Sequence, residues 1–126
     1  MVIIPIYPIM PNTILIIDDE KKLNDLLSRI IGLEGFNVLQ AYTAKEGLKL
    51  LEQNDVLLVL SDVKLPDANG VELVKTIKEK KPYVEVINLT AYGTIADGVK
   101  AIQNGAFNYM LKFTYVSRPA IKIEGF

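Results

Sequence analysis

The 126-residue sequence contains no histidine and no cysteine. Without histidine it cannot build a Ser-His-Asp or Cys-His nucleophile system, and it cannot itself be a phosphohistidine donor. Without cysteine it has no disulfide, and the usual zinc ligand sets are absent. Lack of cysteine also fits a cytoplasmic location, which is the expectation here. Charge of one sign is missing too: the net charge is −1 and no basic stripe appears, so direct contact with nucleic acid is not expected. No run approaches the roughly 18–20 apolar residues of a membrane helix. Met1–Met10 is apolar but carries Pro5 and Pro8 and lacks a basic start, so it reads poorly as a signal peptide. What remains for chemistry is carboxylates, hydroxyls, lysines and backbone amides.

What is present is one domain's worth of chain, half of it hydrophobic. Thr13–Ile17 is a β-branched run that stops at Asp18-Asp19-Glu20, as a buried strand would. Leu23, Leu26, Leu27, Ile30 and Ile31 follow at helical spacing, and Gly35 marks a stop. Phe36–Leu39 reads as a second strand. Thr43 and Glu46 have capping-box spacing and open a helix with Leu48 and Leu51 on one face. Val56–Leu60 is continuously apolar, the pattern of a strand covered on both faces, and it leads into Ser61-Asp62. Leu65–Gly70 has turn chemistry, and Val71, Val74 and Ile77 mark a third helix ending before Pro82. Val84–Leu89 is a fourth strand ending at Thr90. Thr94 caps a helix carrying Ile95, Val99 and Ile102, which Asn104-Gly105 stops. Phe107–Leu111 is a fifth strand ending at Lys112. Alternation of this kind predicts an α/β fold with a parallel sheet and helices on both faces.

In a parallel sheet all carboxyl ends share one edge, where ligands bind near the topological switch point. Asp18, Asp19, Asp62, Thr90 and Lys112 therefore converge. Clustered carboxylates repel and raise one another's pKa, and a hard divalent cation removes that penalty. Oxygen-only ligands favour Mg²⁺ over zinc. An Asp carboxylate can be the nucleophile towards a phosphoryl group, whose oxygens a cation, a lysine and a threonine would stabilise. Each part alone is ordinary. An Asp pair after a strand also serves as a turn or helix cap, a lone Thr-Ala is often structural, and a terminal lysine is usually a solvated charge. The four strand ends Asp18-Asp19, Asp62, Thr90 and Lys112 together, in this order, are what carries the reading.

The motifs Ile-Leu-Ile-Ile-Asp18-Asp19-Glu20, Leu-Ser-Asp62-Val-Lys-Leu-Pro66-Asp-Ala-Asn-Gly70, Leu-Thr90-Ala91-Tyr92-Gly93-Thr94 and Gly105-Ala106-Phe107-Asn-Tyr109-Met-Leu-Lys112 resemble the receiver domains of bacterial two-component response regulators. They are most like the nitrogen-regulation subgroup, which often precedes σ54-dependent ATPase modules. The resemblance covers about Asn12 to Lys112. It implies a flavodoxin-like doubly wound sheet of order 2-1-3-4-5. It implies Asp62 as phosphoacceptor, and Mg²⁺ organised by Asp18, Asp19, Asp62 and the backbone carbonyl of Lys64, with Asp19 preferred over Asp18 as direct ligand. Thr90 and Lys112 would bind phosphoryl oxygens, Thr90 and Tyr109 would form the switch, and small Ala91 would leave access for a donor. Lys64 is a position where the site would be tuned. Tyr109 also reads as an ordinary half-buried aromatic on an edge strand.

Three features depart from the family. Phe113 stands where receivers usually carry proline after the lysine, and a non-proline cis bond there would cost about 2.5–4 kcal/mol. Residues 113–126 form an atypical tail: Arg118-Pro119 interrupts the expected fifth helix, which is truncated or replaced, and Ile121-Lys-Ile123 alternates like a strand. Residues 1–11 are an unfamiliar apolar extension, leaving 12–112 as the receiver. Asn88, in an otherwise apolar strand, needs partners, and a local hydrogen bond is the expectation.

The reading is thus a signalling switch that takes a phosphoryl group from a sensor histidine kinase, not a conventional enzyme, since it catalyses only its own phosphorylation and dephosphorylation. Expected partners are that kinase, a homodimer as one option, and an output domain or effector outside the chain, with no nucleic acid or membrane. A module that works through interaction without phosphorylation is the alternative. An Asp-nucleophile phosphatase is a third class, but neither Asp18-Asp19-Glu20 nor Asp62-Val63-Lys64 supplies an Asp two residues after the nucleophile.

Overall fold

The computed structural model describes residues 11–112. The expectations for the apolar extension before Pro11, for Phe113 and for the 113–126 tail lie outside the described residues. Among the described residues nine elements alternate: β1 (Thr13–Ile17), α1 (Lys21–Leu33), β2 (Asn37–Ala41), α2 (Ala44–Gln53), β3 (Leu58–Asp62), α3 (Gly70–Lys80), β4 (Glu85–Thr90), α4 (Ile95–Gln103) and β5 (Asn108–Leu111).

The strands form one sheet of order β2-β1-β3-β4-β5, every pairing parallel. The apolar runs of β1 and β3 follow from cover on both faces. Ile14, Ile16, Leu58, Leu60, Ile87 and Leu89 pack on Leu27 and Ile31 of α1. Leu15, Ile17, Val59 and Val86 point the other way, into a core with Leu51 of α2, Val71, Val74 and Ile77 of α3, and Ala101 of α4. Each of these side chains, removed from water, contributes on the order of 1.5–3 kcal/mol.

Side-chain caps start three helices. Thr43 accepts a hydrogen bond from the Glu46 amide at 3.1 Å, Asn69 from Val71 at 2.8 Å, and Thr94 from Asp97 at 3.1 Å. Helix α1 ends where Gly35 turns with φ of 96°, and α4 is followed by Gly105 with φ of 106°, conformations that L side chains rarely adopt. Two details depart from the pattern. Leu26 lies at the exposed margin of α1 although its spacing matches the buried face. On α4 the regular stripe of Ile95, Val99 and Ile102 is exposed, and Ala101 is the buried residue. Tyr109 packs against Gly98, so small residues form the inward side of that helix. Among the described residues no helix is long and apolar enough to cross a membrane.

The order places β1 and β3 side by side while the chain leaves them in opposite directions. Their carboxyl ends flank the crevice where the order reverses, which is where ligands bind in open α/β sheets.

Candidate functional site

Asp18 follows β1 and is only 2% exposed; Asp62 ends β3 and is 6% exposed. Lys112, directly after β5, is also buried. Its ammonium Nζ donates to Glu20 Oε1 at 2.7 Å and to Asp62 Oδ2 at 3.0 Å, and it pairs with Asp18 Oδ2 at 3.1 Å. Asp18, Glu20 and Asp62 each bring a carboxylate oxygen within 4.8 Å of one another. Three carboxylates meet a single ammonium, so the cluster is short of positive charge.

The electrostatics follow from that imbalance. Burial pushes the Asp18 carboxyl above the ordinary carboxylate range; the Glu20 amide and Lys112 pull it back only in part, and Asp62 adds to the rise. Burial alone would lower the Lys112 ammonium. Hydrogen bonds to Glu20, Asp18 and Asp62 override it and raise Lys112 above the usual lysine range. Lys112 is therefore a fixed positive charge, and the oxygen-only, charge-deficient cluster around it fits a hard divalent cation.

A cleft of about 300 Å³ opens above the cluster, lined by Asp19, Glu20, Asp62, Lys64, Thr90, Ala91, Tyr92 and Lys112. The residues expected from the sequence thus converge, with distinctions. Asp19 lines the cleft and is exposed, but stands outside the three-carboxylate cluster. The Lys64 amide donates to Asp62 Oδ1 at 3.3 Å, holding one oxygen while Lys112 holds the other. Thr90 is buried, and its hydroxyl bonds the backbone of Tyr92, donating to the carbonyl and accepting from the amide, each at 3.3 Å. Ala91 is exposed at the rim. Tyr109 is not part of the cleft. It is half-buried behind the β4–α4 loop, where its hydroxyl accepts a hydrogen bond from the Thr94 amide at 3.4 Å.

Several positions that sequence reasoning left out support this site. Glu20 joins the cluster; the signal was its place as a third acid directly after Asp18-Asp19. Asn24 is fully buried, donates to the carbonyls of Asp18 at 3.0 Å and Ala41 at 3.1 Å, and so ties the ends of β1 and β2 together. Its signal was a polar residue three before Leu27 and seven before Ile31, on the buried face of α1. Asp67, in the loop after Asp62, accepts from the amides of Ala44 at 2.8 Å and Lys45 at 2.9 Å, pinning that loop to the start of α2. Nothing in local spacing points to that long-range cap. Asn88 departs from the expectation of a local bond. Its amide reaches Ser61 and Gly70, 27 and 18 residues away in sequence.

The sheet order and the acidic crevice at its switch point define a flavodoxin-like α/β domain with a candidate ligand site at the carboxyl edge of its sheet. More particularly, the chain belongs to the response regulator receiver domain family of two-component systems, whose profile matches residues 14–118. The transcriptional regulatory protein GlrR of Escherichia coli K12 is 37% identical over 102 residues, 81% of this chain and 23% of its own length. The chain thus spans about a quarter of that relative. A receiver domain structure from Methanospirillum hungatei superposes with a TM-score of 0.86 at 33% identity, covering 91% of this chain and 92% of that one. The receiver domain of NtrX from Brucella abortus gives 0.82 at 29% identity, covering 89% and 95%, in keeping with the likeness to the nitrogen-regulation subgroup. A response regulator from Burkholderia pseudomallei, solved with a phosphorylated aspartic acid, calcium ion and citrate, gives 0.77 at 26% identity, covering 90% and 71%.

Proposed function

We propose that this domain is a signalling switch in which Asp62 accepts a phosphoryl group from the phosphohistidine of a sensor kinase. The observation that carries the reading is the Asp62 carboxylate. It is buried at the switch point, held by the Lys64 amide and the Lys112 ammonium, and opens onto the cleft. An Asp62 oxygen attacks phosphorus, the donor's P–N bond breaks, and its electron pair returns to the imidazole nitrogen. Lys112 pairs with one phosphoryl oxygen, and the Thr90 hydroxyl turns from the Tyr92 backbone to another. Ala91 at the rim leaves space for the donor. Withdrawal of Thr90 into the site draws the β4–α4 loop with it, and Tyr109, bonded to Thr94 at the end of that loop, responds. The domain acts on no other substrate and catalyses only its own phosphorylation and dephosphorylation.

The chemistry of the donor set suits Mg²⁺, held by Asp18, Asp19, Asp62 and the Lys64 carbonyl, with Glu20 beside them. When bound, the ion supplies the positive charge that the carboxylates lack and neutralises phosphoryl oxygens. The bound calcium and phosphorylated aspartic acid of the Burkholderia pseudomallei structure support both assignments. The partner is a sensor histidine kinase, and the domain itself works in the cytoplasm. The output domain or effector lies outside this chain, and a homodimer is one assembly through which the switch could act.

The test is metal dependence. With acetyl phosphate as donor, phosphorylation is expected in Mg²⁺ and lost in excess chelator, and Asp19→Asn is expected to raise the Mg²⁺ concentration required. Equal labelling with and without chelator would overturn the metal assignment.

A further inference from the structure

We propose that Asn88 is a positioning residue for phosphoryl transfer to Asp62, an inference that rests on the function proposed above. Asn88 sits in the middle of β4, fully buried, with apolar Val86, Ile87 and Leu89 around it in sequence. Its side-chain nitrogen donates to two carbonyls, that of Ser61 at 3.4 Å and that of Gly70 at 3.3 Å. These two residues bracket the acceptor segment. Ser61 precedes Asp62, and Gly70 ends the loop that follows it.

Ser61 is already opposite Asn88 in the β3–β4 ladder, but Gly70 belongs to α3 and has no place in the sheet. Gly70 is the residue that backs onto the acceptor. Its amide donates to the Val63 carbonyl at 2.7 Å, and a Cβ on it would overlap the Asp62 carbonyl oxygen. Asn88 therefore fastens to β4 a point of α3 that lies hard against the Asp62 backbone. The same strand delivers Thr90 two residues later, so acceptor and hydroxyl are set from a common support.

The other half of the side chain argues against a role in stability alone. Asn88 Oδ1 is buried and has no hydrogen-bond partner among the described residues. An unmet buried acceptor is unfavourable, and an apolar residue of similar shape would avoid it. Local rules are broken in this way chiefly where function requires it. The two donated bonds are what the asparagine supplies and a leucine cannot.

The experiment compares wild type, Asn88→Leu and Asn88→Ala. Thermal midpoint is measured alongside phosphorylation rate as a function of acetyl phosphate concentration. Asn88→Leu keeps the branching and removes the donors; Asn88→Ala removes them without adding bulk, and serves if leucine overfills the site. The proposal expects the maximal rate to fall about tenfold, as a slightly misplaced reacting group would produce. It expects half-saturation to stay unchanged because no cleft residue is altered, and the midpoint of the leucine variant to equal or exceed that of wild type. A variant that folds and keeps the wild-type maximal rate overturns the proposal, whatever its midpoint. A wild-type chain that takes no label overturns the parent function and this inference with it.

Discussion

Lys112 is the residue on which the site's charge balance turns. It is buried against Asp18 and Asp62 and also pairs with the exposed Glu20, so its removal leaves two buried carboxylates without their cation. Lys112→Met is expected to lose about 3 kcal/mol in urea unfolding at neutral pH, the usual cost of breaking one side of a buried pair. Asp67 is the opposite case, an exposed carboxylate whose gain is local. Amide hydrogen bonds from Lys45 and Ala44 hold its pKa below the ordinary 3.8. For an acid depressed by folding, the unfolded chain binds more protons in the window below 3.8, so stability rises with pH there. Asp67→Asn should therefore cost about 0.5–1 kcal/mol at neutral pH after solvent screening. The difference should vanish as the pH falls through the lowered pKa, as paired melts of wild type and variant would show. Residues with several long-range partners, such as Asn24, Asp67 and Asn88, were the ones whose roles could not be read from the sequence. Spacing reports which face a residue takes, not which distant carbonyl it meets.

At the level of elements, the start of α3 is the tightest junction. A methyl on Gly70 would run into backbone at Asp62 and Val63, which cannot swing aside. A methyl on Gly47 would meet Cδ1 and Cγ1 of the Ile17 side chain rather than backbone. Gly70→Ala is expected to destabilise by about 1–3 kcal/mol and to slow phosphorylation, while Gly47→Ala costs less and leaves the rate alone. Thermal melts paired with rates would check both. Strand and helix positions were largely legible because period and caps agree: Thr43, Thr94 and the apolar runs each mark an observed element. Boundaries moved where a polar residue continues a strand. β3 runs Leu58–Asp62 and takes in Ser61 and Asp62, because the ladder to β4 persists past the apolar run. The exposed stripe of α4 was misleading for a similar reason. Periodicity locates an apolar face without saying that this molecule's own core covers it.

Across the whole molecule, the candidate site gathers at the carboxyl edge of the sheet. Tyr92, Ile95, Val99 and Ile102, with Phe107 and Leu111, expose large side chains on α4, β5 and the adjoining loops. Patches of this kind mark association surfaces. Sedimentation of the phosphorylated domain is expected to show concentration-dependent association. Val99→Glu should weaken it at least about tenfold, since burying an unpaired carboxylate at an interface costs more than 1.4 kcal/mol. Topology and the convergence of Asp18, Asp62, Thr90 and Lys112 were available from the order of strand ends, because a parallel sheet brings all of them to one edge. The packing of Lys112 between Glu20 and two aspartates was not, because it depends on side-chain reach across three strand ends.

The absence of histidine and cysteine fits the proposed function, in which the chain supplies an oxygen-lined acceptor and the histidine belongs to the donor. Asp62 is the point at which that claim is most exposed. Wild type and Asp62→Asn should be incubated with Mg²⁺ and acetyl phosphate, weighed intact, and the label located by peptide mapping. The account predicts a single added phosphoryl group on the peptide carrying Asp62, and none on the folded Asp62→Asn variant. A folded wild type that gains no mass, or a label that persists in the variant, would contradict it.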